Sequence, residues 1–241
     1  MDLYAVGIGP GDLKYLTKNA TEIIKSCDVV VGFTTYIKLI QDLIENKEII
    51  ATKMTGEVER CKRAIEEALK GKKVCVISSG DSGIYGMASL LYELAEEYEE
   101  INIKVEVGVT ASIATASILG SPITNDFATI SLSDCLTPWE TIEKRLTLLA
   151  QTDMAICIYN PQSKNRPDYL KIATKIMLKY RDKDTKCGYV RNALRNDTKS
   201  CICTLEDLLS TDVDMFTTVI IGNTCTKIIK DKLVTTRGYE I

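Results

Sequence analysis

Hydrophobic and polar positions along the chain fall into two alternating kinds of block. Short apolar runs with β-branched residues stand at 3–8, 27–32, 73–77 and 103–107, with a shorter one at 49–50. They read as buried strands. Between them lie stretches with apolar residues three and four positions apart: from Leu16-Thr17 to about Ser26, then 36–45, 57–69, 84–98 and 111–119. These predict helices, and Gly71 suits the end of the third. Strand and helix alternate throughout 1–119, which implies a parallel sheet. Gly120-Ser121-Pro122-Ile123-Thr124-Asn125-Asp126 breaks the pattern with turn chemistry. The expected domains are therefore 1–119 and 120–241, both α/β, the second with a mixed sheet. In the second, strands are expected at 128–132, 154–158, 186–191, 199–203 and 217–221, and helices from Pro138, capped by Thr137, to about Ala150 and near 168–180.

Two loops between these blocks carry candidate chemistry. Ser78-Ser79-Gly80-Asp81-Ser82-Gly83-Ile84-Tyr85-Gly86 follows a buried strand and precedes a helix. Ligands in open α/β sheets bind at such strand ends, and glycine lets them approach the backbone. Asp81 disfavours phosphate there and suits a cationic or hydroxyl-bearing ligand. Helix capping by Ser79 and Asp81 is the competing reading. Gly7-Ile8-Gly9-Pro10-Gly11-Asp12 follows the first strand. It departs from a dinucleotide fingerprint, with Asp12 where a third glycine belongs and Pro10 lacking a donor. A tight loop clearing space for a large ligand fits better.

Composition narrows the chemistry. The 241 residues carry a net charge of −3 and no histidine. The charge gives no general attraction for nucleic acid, and the missing histidine excludes imidazole catalysis and imidazole metal ligands. Proton transfer falls to Asp, Glu, Lys, Tyr, Cys or water. No apolar run reaches the ~18 residues of a membrane span, and the N-terminus lacks signal-peptide character. A cytoplasmic location is expected. Of nine cysteines, Cys75, Cys157 and Cys187 sit in apolar runs and read as reduced core thiols. Cys201 and Cys203 would share one strand face, a spacing short for zinc, so no protein-bound metal is expected.

Several loops taken together resemble one family, the tetrapyrrole methylases. The matching pieces are Gly7-Ile8-Gly9-Pro10-Gly11-Asp12 with Leu16-Thr17, Ser79-Gly80-Asp81 before Ile84-Tyr85-Gly86, and Gly108-Val109-Thr110-Ala111. In the second half, Asp126-Phe127, Ile130-Ser131-Leu132-Ser133-Asp134, Leu136-Thr137-Pro138-Trp139, Tyr159-Asn160-Pro161 with Ser163-Lys164 and Arg166, and Gly222-Asn223 are similar to the branch that methylates C(17) of precorrin-3B or cobalt-precorrin-3. Three positions depart from the family pattern: Ser82 and Val107 stand where proline is usual, and Asn125 where histidine is frequent.

The resemblance implies two α/β domains with the active site in the cleft between them. It implies methyl transfer from S-adenosylmethionine, which leaves as S-adenosylhomocysteine, with ring contraction of the tetrapyrrole and any cobalt carried by the substrate. Expected donor contacts are Pro10, Gly80, Asp81, Ser82, Ile84, Thr110 and Ala111, completed by Tyr159, Asn160, Asn192 and Ala193. Asp12, Asp126 and Asp134 are the catalytic candidates, each with a turn or cap role as the alternative. Lys164, Arg166, Arg191 and Arg195 are the candidates for the substrate's carboxylates. Trp139 reads as a packing residue. A homodimer is expected, with neither nucleic acid nor membrane as partner. The rival readings are another position specificity such as C(11) or C(20), a non-enzymatic tetrapyrrole- or nucleotide-binding regulator, and a dinucleotide oxidoreductase, against which Asp12 counts.

Overall fold

The computed structural model describes residues 1–240, which divide into two compact units, Met1–Ala111 and the described residues from Ser112 onward. The first unit alternates strand and helix: β1 (Asp2–Gly7), α1 (Lys18–Ser26), β2 (Val29–Phe33), α2 (Thr34–Leu39), β3 (Glu48–Thr52), α3 (Glu57–Leu69), β4 (Val74–Ser78), α4 (Ala88–Ala95) and β5 (Asn102–Glu106). Its strands form one all-parallel sheet in the order β3-β2-β4-β1-β5. Both faces are covered, which is why its central strands read as unbroken apolar runs. Tyr4, Val6, Ile8, Cys75 and Ile77 pack with Ala20 and Ile24 of α1 and Ile37 of α2. Leu3, Ala5, Val74 and Val76 pack with α3 and α4 on the other face. Adjacent β1 and β4 thus send their chains to opposite faces. That is the topological switch point, where the carboxyl ends of strands leave a crevice.

Local chemistry sets most boundaries. Thr17 caps α1 by accepting from Ala20 N at 2.9 Å. Gly71, at φ +86°, follows the end of α3 in the left-handed conformation. Two expectations shift. Helix α2 starts at Thr34 and stops at Leu39, followed by a 3₁₀ turn at Gln41–Leu43, in place of one helix over 36–45. Helix α4 starts at Ala88 rather than 84. Gly83, left-handed Tyr85 and Gly86 keep the intervening chain out of the helix.

The second unit contains α5 (Ala111–Leu119, whose first residue closes the first unit), β6 (Gly120–Ser121), β7 (Phe127–Ser131), α6 (Trp139–Gln151), β8 (Ala155–Tyr159), α7 (Tyr169–Met177), β9 (Lys186–Arg191), β10 (Lys199–Thr204), β11 (Thr217–Ile221), β12 (Thr226–Ile229) and β13 (Lys232–Thr235). Its main sheet is mixed, in the order β10-β9-β11-β8-β7, with only β7 and β8 parallel neighbours. Helices α6 and α7 cover one face through Ile142, Leu146, Leu170 and Met177. A small sheet, β12-β13-β6, was not foreseen; β6 has two residues, too few for a pattern. The expected junction at Gly120 therefore lies inside the second unit. The reasons are the pairing of β6 with β13, the contact of Leu119 with Gly188 on β9, and the bond from Ser112 N to Tyr159 Oη. Pro138, not Thr137, occupies the cap position of α6, and Trp139 is the first helical residue. Among the described residues no helix is long and apolar enough to cross a membrane.

Candidate functional site

At the switch point of the first unit, three loops meet through their backbones. Gly9 and Gly80 exchange hydrogen bonds, Gly9 N to Gly80 O at 3.0 Å and Gly80 N to Gly9 O at 2.7 Å. Both glycines have positive φ, +66° and +72°, which glycine adopts without strain. The loop after β5 comes equally close: a Cβ on Gly108 would lie 2.1 Å from Gly80 O. Thr110 and Ala111 follow, their backbones beside Gly80. The crevice thus has walls of bare backbone.

Asp81 fastens these loops. Its Oδ1 accepts from Gly83 N at 2.8 Å and its Oδ2 from Gly108 N at 2.9 Å. It does not cap α4, which begins at Ala88; Ser78 Oγ instead accepts from Met87 N at 3.2 Å. Each carboxylate oxygen keeps a second lone pair, so the group can hold the loop and still face a cation. Ser82 departs from its expected role. It is 1% exposed, and its hydroxyl donates into the sheet to Ala5 O at 3.1 Å. It supports the loop from beneath and makes no surface for a ligand. Pro10 is likewise buried, while Ile84 is exposed.

Asp12 adopts the alternative that the sequence left open: it caps the 3₁₀ turn Leu13–Tyr15, accepting from Lys14 N at 3.0 Å, and pairs with Lys14 Nζ at 2.9 Å. The Lys14 backbone N–H, then its ammonium, lowers the Asp12 pKa below the usual carboxylate value. Buried Glu106, which sequence reasoning missed, anchors the same loop. It accepts from Thr17 Oγ1 at 2.9 Å and from Asn19 Nδ2. Its partners lie 89 and 87 residues away, so no local signal marked it.

In the second unit the topology gathers most of the remaining candidates at one end of the sheet. Strands β7, β8 and β9 run the same way, so Ser131, Tyr159-Asn160 and Arg191-Asn192 lie together at their carboxyl ends. Tyr159 Oη accepts from Ser112 N at 2.9 Å, and Asn160, left-handed at φ +50°, donates from Nδ2 to Ser131 Oγ at 2.9 Å. Asn192 is also left-handed and donates to Asp197 Oδ2 at 2.6 Å; Ala193 follows, half-buried. Asp134 accepts from Tyr169 Oη at 2.6 Å and faces Arg166 Nη1 at 3.6 Å. The carboxylate raises the Tyr169 pKa and so keeps the phenol protonated. Tyr169 is another residue that sequence reasoning missed. Trp139 packs on it, ring centroids 4.3 Å apart, and both rest against the core.

Two candidates stand differently from expectation. Asp126 precedes β7, at the opposite end of that strand from Asp134, and its carbonyl accepts from Ala155 N. Five strand residues at ~3.3 Å each separate the two ends, so these carboxylates do not act together. Arg191 is already engaged, its Nε with Asp214 at 2.7 Å and its Nη1 with Asp197 at 3.3 Å. Arg195 is half-buried, whereas Lys164 is exposed on the loop after β8.

The family model "Tetrapyrrole (Corrin/Porphyrin) Methylases" matches residues 2–209. The cobalt-factor III methyltransferase of Priestia megaterium is 44% identical over 243 residues, covering 99% of this chain and 45% of that longer protein. The chain therefore spans under half of that relative. It spans 100% of another, the probable cobalt-factor III C(17)-methyltransferase of Salmonella typhimurium, 41% identical over 240 residues and 99% of this chain. A crystal structure of the methyltransferase CobJ aligns with a TM-score of 0.92 at 31% identity, over 97% of this chain and 99% of that one.

Proposed function

The chain belongs to the tetrapyrrole (corrin/porphyrin) methylases, and on that premise we propose that it methylates C(17) of cobalt-factor III, or its reduced cobalt-precorrin-3 form, with ring contraction, in cobalamin biosynthesis. Relatives at 44% and 41% identity that are named for cobalt-factor III support this substrate level. The observation that carries the reading is the glycine-walled crevice at the switch point, with the Asp81 carboxylate fastening its loops.

That crevice fits the methyl donor. Its sulfonium is a cation, which Asp81 favours, and its adenosine and amino-acid ends need backbone donors and acceptors at close approach. Backbone groups of Gly80, Ile84, Thr110 and Ala111, all in the first unit, hold it. Bound there, the donor supplies an electrophilic methyl and leaves as S-adenosylhomocysteine.

Methyl transfer requires alignment of the acceptor carbon and exclusion of water more than a strong base. Ring contraction moves protons, and a chain without histidine does this with carboxylates and phenols. Asp12, which caps a turn and is held ionised by Lys14, is a poor proton acceptor. The Tyr169–Asp134 pair offers a protonated phenol beside a carboxylate. Lys164 and Arg166 take the substrate's carboxylates.

Incubation with methyl-labelled S-adenosylmethionine and cobalt-factor III without oxygen tests the reading. We expect one label per tetrapyrrole and one S-adenosylhomocysteine released per label. A folded protein that binds S-adenosylhomocysteine yet incorporates no label overturns it in favour of a binding role.

A further inference from the structure

An exposed apolar side chain is ordinarily uninformative, but Tyr85 on the central loop is held in a conformation that costs energy. Its φ is +54°, the left-handed region that bulky residues rarely enter, at a cost on the order of 1–3 kcal/mol. Its side chain stands 55% exposed beside Ile84, 39% exposed, so core burial does not compensate. The surrounding loop prevents relaxation. Upstream, Gly80 is paired with Gly9, Asp81 is bonded to Gly83 and Gly108, and Ser82 is bonded into the sheet. Downstream, Met87 N donates to Ser78 Oγ, Met87 Sδ accepts from buried Arg60 Nη1 at 3.5 Å, and Ala88 N donates to Ser82 O at 3.0 Å. Gly86 lies in a coil so tight that a Cβ there would sit 2.5 Å from Ser82 O. Both ends of the loop are buried and bonded, and the tip that they hold out is apolar.

We propose that Tyr85 is a positioning residue whose ring packs face-on against the tetrapyrrole macrocycle and sets where its acceptor carbon meets the donor's methyl. This rests on the methyltransferase reading. The polar needs of the donor are met at the base of the loop, by Asp81 and by backbone groups. The tip offers a flat ring and a branched aliphatic side chain, which suit a broad conjugated face. A fastened loop keeps that ring in place before the substrate arrives, so little ordering is required on binding.

The test uses the full chain with Tyr85→Phe, Tyr85→Ala and Tyr85→Gly. We expect Ala and Gly to raise KM for cobalt-factor III about tenfold, the loss of one aromatic contact. The S-adenosylhomocysteine Kd, read by calorimetry, stays within about twofold, and Phe restores the wild-type KM. Glycine accepts positive φ, so Tyr85→Gly melts no lower than wild type, which separates a lost contact from a lost fold. An unchanged KM in Ala and Gly overturns the proposal. So does a parallel loss of S-adenosylhomocysteine affinity, which would put the ring on the donor. Failure of the wild type to transfer methyl overturns the methyltransferase reading and this inference with it.

Discussion

Asp81 spends both carboxylate oxygens on backbone N–H groups, one of them 27 residues away. The sequence left it as a ligand contact or a helix cap; it is a fastener of the loops after β4 and β5. The distant partner is why neither reading was complete. Asp81→Ala strands two N–H groups and frees the loop, so S-adenosylhomocysteine affinity falls by about tenfold or more and stability by about 1–3 kcal/mol. Calorimetry showing unchanged affinity would remove Asp81 from the donor site. The cations divide in the same way. Lys164 is exposed on the loop after β8, whereas Arg191 serves Asp214 and Asp197. Lys164→Ala should raise KM for the tetrapyrrole and spare donor binding. Arg191→Ala should lower the melting temperature, because Asp197 and Asp214 both lose this partner.

Elements are fixed where they meet, and the meeting points were the least legible part of the sequence. The central strands of the first sheet were readable because both faces are apolar; the helix that follows the loop after β4 was read from residue 84, whereas it starts at Ala88. Gly108 shows what joins the elements. Alanine there would drive a Cβ to 2.1 Å from Gly80 O, so Gly108→Ala should cost about 1–3 kcal/mol in urea unfolding and weaken donor binding at the same time. Arg181 is the counterpart in the second unit. Its guanidinium donates to Leu149 O, Thr152 O and Met154 O through Nη2 and to Gly222 O through Nη1, and so joins the end of α6 to the start of β8 and the end of β11. Arg181→Met removes this donor from all four carbonyls, of which Leu149 O keeps its bonds from Thr152, and should cost about 3 kcal/mol.

A pH dependence also belongs to the elements. Lys70 and Lys72 hold Glu67 at the end of α3 down to about 2 from its ordinary 4.5, and Lys72 also reaches Glu48 on β3. A lowered carboxylate pKa contributes stability that is complete above pH 4.5 and is lost as pH falls towards 2. Glu67→Gln should therefore flatten the stability curve over that window and leave its neutral-pH shape unchanged. Parallel curves for the two proteins would contradict the assignment.

At the scale of the molecule, strand–helix alternation foretold a parallel sheet, then a mixed one, and the loops at strand ends foretold the family. The boundary was misplaced because Gly120-Ser121-Pro122 has turn chemistry, yet Gly120 and Ser121 pair with β13, more than 110 residues later. The loops that meet at Gly9, Gly80 and Gly108 were legible because glycines and a carboxylate at strand ends are local signals. Glu106 and Tyr169 were not, because only long-range pairing gives them a role. The central claim concerns one carbon of one substrate. The measurement that tests it is carbon NMR of the product formed from methyl-labelled S-adenosylmethionine and cobalt-factor III without oxygen. The account predicts a single labelled methyl at C(17) of a ring-contracted tetrapyrrole. A labelled methyl at another carbon, such as C(11) or C(20), would keep the family and contradict the assignment of position.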